Sequence, residues 1–511
     1  MKPLVKEQRF DFRGGRNTAI SSDLLNENEL VDATNARLSQ TYGGISKRSG
    51  SRRLHPGFFG DAGVGLGNPL PVIAVGQWDS PVVGNQIVAM DSFGNLYFKP
   101  NDTTTNFTGT GMVGVPPHPS AFFVPFRAAT SGAPLTLFIA ETATNLAALY
   151  KWTGAVLTQI DGINSAPPAG LLAAYHTRLF AVDQFNFKKT LFWSRVGDGE
   201  QWGTGTKTDG GSAIVGVLNG EAIVALEVIG SSLLIATNDC LMRFTGQSSD
   251  DIVIAQDTEG VSSEIGAAGP YALTRFENVA ALLNRRGAYA ATETACEPIG
   301  EQINPDWFAL DQSVINKSVV GYNKGRKELL YAVSRSGDNH QNKSIFVQST
   351  RLQAWYGPWT YPFGINCLCP YTDPNGVQSV LAGCSDGFVR NLDIGTLDDV
   401  HSDGTGGIAI PMSVELPVLH FGDAGITKSL QRMKLQAQLP VGSALTLNTT
   451  FDDGVAINTA VPAATIGSEQ DYRIDLGGQQ GKRLKLIFTD SSNFAPTING
   501  FVLSAFDMGR V

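Results

Sequence analysis

The sequence predicts an all-β fold: a six- or seven-bladed β-propeller carrying an amino-terminal arm and a carboxy-terminal β-sandwich. Three observations lead there. From about residue 70, short apolar runs alternate with polar, glycine-bearing turns, and the units recur roughly 40–60 residues apart, the spacing of four-stranded propeller blades. The 57 glycines and 25 prolines among 511 residues, with only 17% charged residues, suit many strands joined by tight turns. The last hundred residues alternate apolar and polar with period two, as half-buried antiparallel strands do.

Residues 1–65 read as the arm. Ser21, Ser22 or Asp23 could cap a short helix, with Leu24, Leu25, Leu30 and Val31 on one apolar face, ending before Gly43–Gly44. Next comes "YGGISKRSGSRRL" (42–54), with four cations and no acid. Residues 1–53 carry a net charge of +4, leaving −13 on the remainder of a chain whose total is −9.

Residues 66–400 read as the propeller. Seven turn-plus-aromatic-strand units begin at "DSFGNLYFKP" (91–100), "ATNLAALYKW" (143–152), "FNFKKTLFWS" (185–194), "TNDCLMRFTG" (237–246), "NRRGAYAATE" (284–293), "SGDNHQNKSIFVQS" (336–349) and "CSDGFVRNLD" (384–393). Upstream strands such as "RLFAVD", "SLLIATN", "ELLYAVS" and "SVLAGCS" complete hairpins. One unit could be split between the ring's first and last strands, so six or seven blades both fit. A pair of ordinary β-sandwiches is the competing arrangement.

Residues 401–511 begin with a polar linker, "HSDGTGG" (401–407). "RMKLQAQL" (432–439), "SALTLNTTF" (443–451), "KRLKLIF" (482–488) and "INGFVLSAF" (498–506) then read as sandwich strands. The start "MKPLVKEQRFDFRGG" lacks the apolar core of a signal peptide. The most apolar window, 214–236, contains Glu221 and Glu227 and reads as two strands around a turn rather than a membrane span. The chain therefore reads as soluble and unprocessed. Five cysteines, of which only Cys367 and Cys369 are close, suggest free thiols.

Catalytic patterns are offered and fail on context. "GCSDG" (383–387) matches the nucleophile elbow, but a strand follows Ser385 where a helix is required. Asp250–Asp251, Asp398–Asp399 and Asp452–Asp453 read as turn aspartates, and "GDGEQW" (197–202) lacks the ligand spacing of a calcium loop. His55, His118, His176, His340, His401 and His420 are scattered without metal-binding spacing. Trp152, Trp193, Trp202, Trp355 and Trp359 could line a sugar groove but read as blade core. The expectation is a protein with no enzymatic activity, cofactor or metal.

The arm segment "FRGGRNTAISSDLLNENELVDATNARLSQTYGGISKRSG" (12–50) resembles the opening of virion proteins from tailed bacteriophages. The matched positions are Gly14, Gly15, Leu25, Asn35, Arg37, Gly43, Gly44, Lys47, Arg48 and Gly50, with Ser49 standing where proline is usual. "RLFAVDQFNFKKTLFWSRVGDGEQW" (178–202) and "RRGAYAATETACEPIGEQI" (285–303) are similar to later segments of the same proteins. The likeness spans roughly residues 12 to 400, and in architecture it is nearest to the tail nozzle of short-tailed phages. It implies a virion tail protein assembled in the host cytoplasm: a ring, expected to be a hexamer, below the adaptor and portal proteins. Such a ring retains packaged double-stranded DNA, conducts it on ejection and anchors tail fibres, with no membrane insertion. The alternative is a host-carbohydrate-binding tail fibre or spike. A propeller hydrolase would need repeated S-x-D-x-G-x-T-W turns, which this sequence lacks.

On this reading the basic loop is the candidate site. Arg37, Lys47, Arg48, Arg52 and Arg53 are expected to meet carboxylates of a neighbouring subunit or the adaptor, since acidic rings need local charge complementarity to stack. A solvated turn is the bland alternative. DNA binding is disfavoured because no aromatic interleaves the charges.

Overall fold

The computed structural model describes residues 4–60, 68–80, 82–102, 105–112, 119–128, 135–142, 147–206, 208–215, 221–246, 252–255, 260–422, 425–462 and 467–509. Each sequence-predicted hairpin supplies the second and third strands of one blade. The first blade orders Val72–Ser80, Gly84–Asp91, Asn95–Pro100 and Thr108–Met112 as neighbours, from the axis outward. The next four blades start at Ser120–Arg127, Leu171–Tyr175, Ala225–Ile229 and Leu273–Phe276 and repeat this up-and-down order. The innermost strands, with Val319–Asn323 and Ile365–Thr372, contact one another in a closed ring of seven. Closure removes the exposed inner edges that a single sheet would present.

Six of these four-stranded units are free-standing sheets. The unit Val319–Asn323, Glu328–Val333, Ser344–Ser349, Ala354–Thr360 instead continues through the arm strand Asp32–Thr34 into Met412–Glu415, Leu484–Asp490, Thr446–Phe451 and Ile457–Ala460. One nine-stranded sheet thus runs from propeller into sandwich. The last blade, Ile365–Thr372, Gln378–Cys384 and Val389–Leu392, takes its outer strand from Ser51–Arg53. The split unit foreseen from the sequence is this one.

The second sandwich sheet pairs Thr427–Gln438 with Thr497–Gly509 and adds arm strands Leu4–Arg9, Ala36–Leu38 and Ile45–Lys47. Residues 1–65 are therefore not a separate unit. Phe12, Leu30, Ala36 and Ile45 share one core with Trp359, Ile365, Met433 and Phe501, drawn from propeller and sandwich. The alternating strands of residues 401–511 stand as expected, but their sheets are completed by the arm.

The arm helix expected after Ser21 does not form. Leu24 N–H bonds Ser21 O at 2.9 Å in an isolated turn, and Leu24 is 74% exposed. Glu29 draws the chain out of helical geometry: its carboxylate accepts Asn26 N at 2.7 Å and Asn17 Nδ2 at 2.8 Å. Leu30 is fully buried in a two-residue strand, parallel to Gly15–Arg16, and Val31 N–H bonds Glu415 O. Asparagine side chains compete with helix hydrogen bonding, and here tertiary pairing decides the outcome. Among the described residues the α-helix that forms is Asn304–Phe308, with a proline in its first turn, and Trp307 buries it against the fifth blade.

The propeller axis is crossed by a side chain. Tyr271, just before the fifth blade, places its hydroxyl 2.8 Å from Ile73 O and 2.6 Å from Ala121 O, on the innermost strands of the first two blades. Its ring lies 5.1 Å from that of Phe122. The window 214–236 contains the strands Ala225–Ile229 and Ser232–Ala236, with 216–220 outside the described residues. Among the described residues no helix is long and apolar enough to cross a membrane.

Candidate functional site: the basic cluster of the arm

Arg48 sits at the centre of the arm's cations. A left-handed backbone at Asn35 (φ 52°) turns the chain between two short strands, a conformation asparagine tolerates better than most residues. Asn35 Oδ1 then accepts Arg48 Nε at 2.9 Å and Thr360 N at 2.7 Å, while its Nδ2 donates to Pro411 O at 2.7 Å. Arg48, with no solvent exposure, forks onto Asp398 at 2.9 and 2.5 Å and donates to Ser49 O and Thr360 O. Its guanidinium stacks 4.1 Å from the Tyr361 ring centroid. Every N–H direction of the fork is used, which is what a buried guanidinium requires.

The neighbouring cations are also paired within the chain, although the buried Arg37 Nε–H meets no acceptor. Lys47 Nζ bonds Asp490 and Ser492 O with no side-chain exposure. Burial lowers the Lys47 pKa, while Asp490 pulls it back up. Arg37 bridges Asp393 and Glu328, stacks 4.7 Å from Trp359 and donates to Ser49 Oγ at 3.1 Å. The serine that departs from the phage pattern thus supplies an acceptor that proline could not. Burial raises the Glu328 carboxyl and Arg37 opposes that shift. Arg53 forks onto Asp399 at 2.7 and 2.5 Å, and Arg390 meets the same carboxylate at 2.6 Å. Burial works against ionised Asp399, but the two arginines hold its pKa below the ordinary value. Arg52 donates to Ser402 O at 2.6 Å and remains partly exposed.

In place of the expected carboxylates of an adjacent subunit or the adaptor, Lys47 and Arg48 are buried on carboxylates of their own chain, while Arg52 and Arg53 keep partial exposure. All five cations, Arg37, Lys47, Arg48, Arg52 and Arg53, find acceptors within their own chain. The acidic body folds back on its own basic arm, because unpaired charges could not be buried at this joint. Arg16 does likewise, reaching Asp306 at 2.8 Å.

The missed residues are the acceptors: Asp398, Asp399, Asp490, Asp393 and Glu328. Asp398–Asp399 stood out as a pair, but its partners lie about 350 positions away. Gly50 marks how tight the joint is, since an added Cβ would fall 1.8 Å from Leu397 O.

The rejected motifs keep structural roles. Ser385 Oγ accepts Gly364 N–H at 3.1 Å in the hairpin turn between two strands. Asp452 and Asp453 adopt left-handed backbone, and Asp452 accepts the N–H groups of Lys482 and Arg483. Trp152, Trp193, Trp202, Trp355 and Trp359 are all buried. Asp250–Asp251 and His118 lie outside the described residues. Buried His55 donates or accepts at both nitrogens, to Gly57 O and from Val389 N, within a cage of Phe59, Phe107 and Phe388. Burial pushes its pKa down to about 4. Among the described residues no three His, Cys, Asp or Glu side chains group as metal ligands.

No family model matches the chain, and no curated protein does. Among solved structures, the WD40 beta propeller domain of Doa1 aligns at 10% identity and TM-score 0.40, covering 67% of this chain and 96% of that one. BBS1N in its complex with ARL6DN aligns at 12% identity and TM-score 0.38, covering 67% and 97%. The propeller assignment itself rests on the closed ring of four-stranded sheets.

Proposed function

We propose that the chain is a structural virion protein: a tail nozzle subunit that assembles as a ring, retains packaged DNA, conducts it on ejection and anchors fibres. The observation carrying this reading is the arm segment 12–50 and its likeness to the opening of phage virion proteins. Support comes from what those matched residues do. Gly15, Asn35, Lys47, Arg48 and Gly50 weld arm, propeller and sandwich, through hydrogen bonds, ion pairs and close backbone approach. A welded body suits a part that bears internal pressure and performs no chemistry of its own.

Tyr271 crosses the subunit's own axis, so a DNA conduit would run between copies around a shared axis, with a closed subunit surface facing it. The net charge of −13 on residues 54–511 would make that wall weakly repulsive to phosphate, favouring sliding over retention on the wall. Native mass spectrometry of the purified chain, with the rotational symmetry of the particle bearing it, tests the proposal. A six-fold ring in the particle is expected; a stable trimer in both would replace it with the fibre reading.

A further inference from the structure

Between the fifth and sixth blades an open groove of about 530 Å³ is lined in part by Phe276, Thr292, Glu297, Gln348, Thr350 and Gln353. That volume falls within the range of small-molecule sites. Phe276 ends the innermost strand of its blade, Glu297 lies on the outermost, and Gln348 projects from the third strand of the next. The turn carrying Thr350 and Gln353 closes one end. Gln353 is held in left-handed backbone (φ 53°).

Gln348 is the informative residue. It is only 7% exposed, yet its amide makes no side-chain hydrogen bond among the described residues. The amide is not fully enclosed and opens into the groove. Because it opens into the groove and has no protein partner among the described residues, the amide is free to exchange hydrating water for the polar groups of a ligand. An amide offers both donors and an acceptor, and Gln353 at the rim offers the same pair again. The exposed Glu297 carboxylate adds acceptors, while Phe276 adds an apolar wall. Thr350 already donates to Lys327 O at 3.0 Å and its oxygen keeps accepting capacity, whereas Thr292 Oγ1 is committed to the backbone of Thr294 and Ala295 and only walls the groove.

We infer that this groove binds a neutral pyranose saccharide. Alternating hydroxyl donors and acceptors match two amides and a carboxylate, and the apolar face of a sugar ring matches Phe276. An anionic sugar would meet Glu297 and be disfavoured. This inference goes beyond the nozzle reading and stands whether or not that reading holds.

Saturation-transfer NMR on the full chain tests it, using glucose, galactose and N-acetylglucosamine at millimolar concentration, with glucuronate as the anionic control. At least one neutral sugar should show transfer, and glucuronate should show less. Gln348→Leu should weaken that binding roughly tenfold, consistent with losing hydrogen bonds to a buried amide. Gln353→Ala and Glu297→Gln, at exposed positions, should weaken it with an unchanged melting temperature, and they carry the test if Gln348→Leu does not fold. No transfer from any neutral sugar, or transfer undiminished in all folded variants, overturns the inference.

Discussion

The Tyr271 hydroxyl accepts the N–H of Ala121 at 3.0 Å and lies 2.6 Å from the carbonyl oxygen of the same residue, joining the entrance of the fifth blade to the second across the axis. One phenol thereby satisfies backbone that no strand can pair, because innermost strands have no inner neighbour. Burial raises the Tyr271 pKa well above the ordinary phenol value, which keeps the hydroxyl available as a donor. Tyr271→Phe should keep the far-ultraviolet spectrum but cost about 1–3 kcal/mol of stability, read as a lower denaturation midpoint. An unchanged midpoint would mean that water replaces the hydroxyl without loss.

Arg48 and Arg52 are four positions apart and should respond very differently. Arg48→Ala strands Asp398 in the interior and should cost about 3–5 kcal/mol. Arg48→Met combined with Asp398→Leu should recover much of that loss, since it removes both buried charges. Arg52→Glu, at a partly exposed site with one carbonyl contact, should stay within about 1 kcal/mol. Urea titration of the four proteins checks this ordering.

His55 sets a pH dependence. Its folded pKa of about 4 lies below the ordinary 6.5, so the unfolded chain takes up the proton first. The stability contributed by the neutral ring is complete above pH 6.5 and is lost as pH falls toward 4. His55→Phe should flatten that part of the stability curve, whatever it does to stability at pH 8. Equal slopes for both proteins between pH 6.5 and 4 would remove His55 from the account.

Glu141 works in the opposite direction. It has no solvent exposure, and burial raises its pKa to about 7, with Tyr150 opposing the shift and Asp161 reinforcing it. The folded state holds the proton longer than the unfolded chain, so stability falls as pH rises from 4.5 through 7. Glu141→Gln should therefore be more stable than the parent at pH 8 by about 1–3 kcal/mol, with the gain shrinking toward pH 5. Thermal melts at the two pH values decide it.

The blades were legible because each is written locally. A turn such as "SGDN" and its flanking aromatic strand lie within fifteen residues, and the periodicity needs no distant partner. The joint was not legible for the opposite reason. Lys47 meets Asp490 across 443 positions, and nothing near Lys47 announces that acceptor. The same distance explains the arm helix that did not form, since Val31 is bonded to Glu415 from the far end of the chain. The groove beside Gln348 was equally hidden, because it joins two blades whose lining residues look ordinary in their own strands.

Closing the last blade with Ser51–Arg53 has a consequence for how the protein is made. The ribosome delivers the basic arm before its carboxylates, with Asp398, Asp399 and Asp490 following about 350 to 440 residues later. At ordinary elongation rates Lys47 waits on the order of half a minute for Asp490. The ring stays open until residues 365–392 emerge, and the arm's cations stay solvated until their carboxylates follow. A nascent chain stalled before residue 390 would carry a cationic tail and an unpaired blade edge, both open to polyanions and to other nascent chains. Arrival of these distant partners is thus the event that turns a sticky intermediate into an inert one.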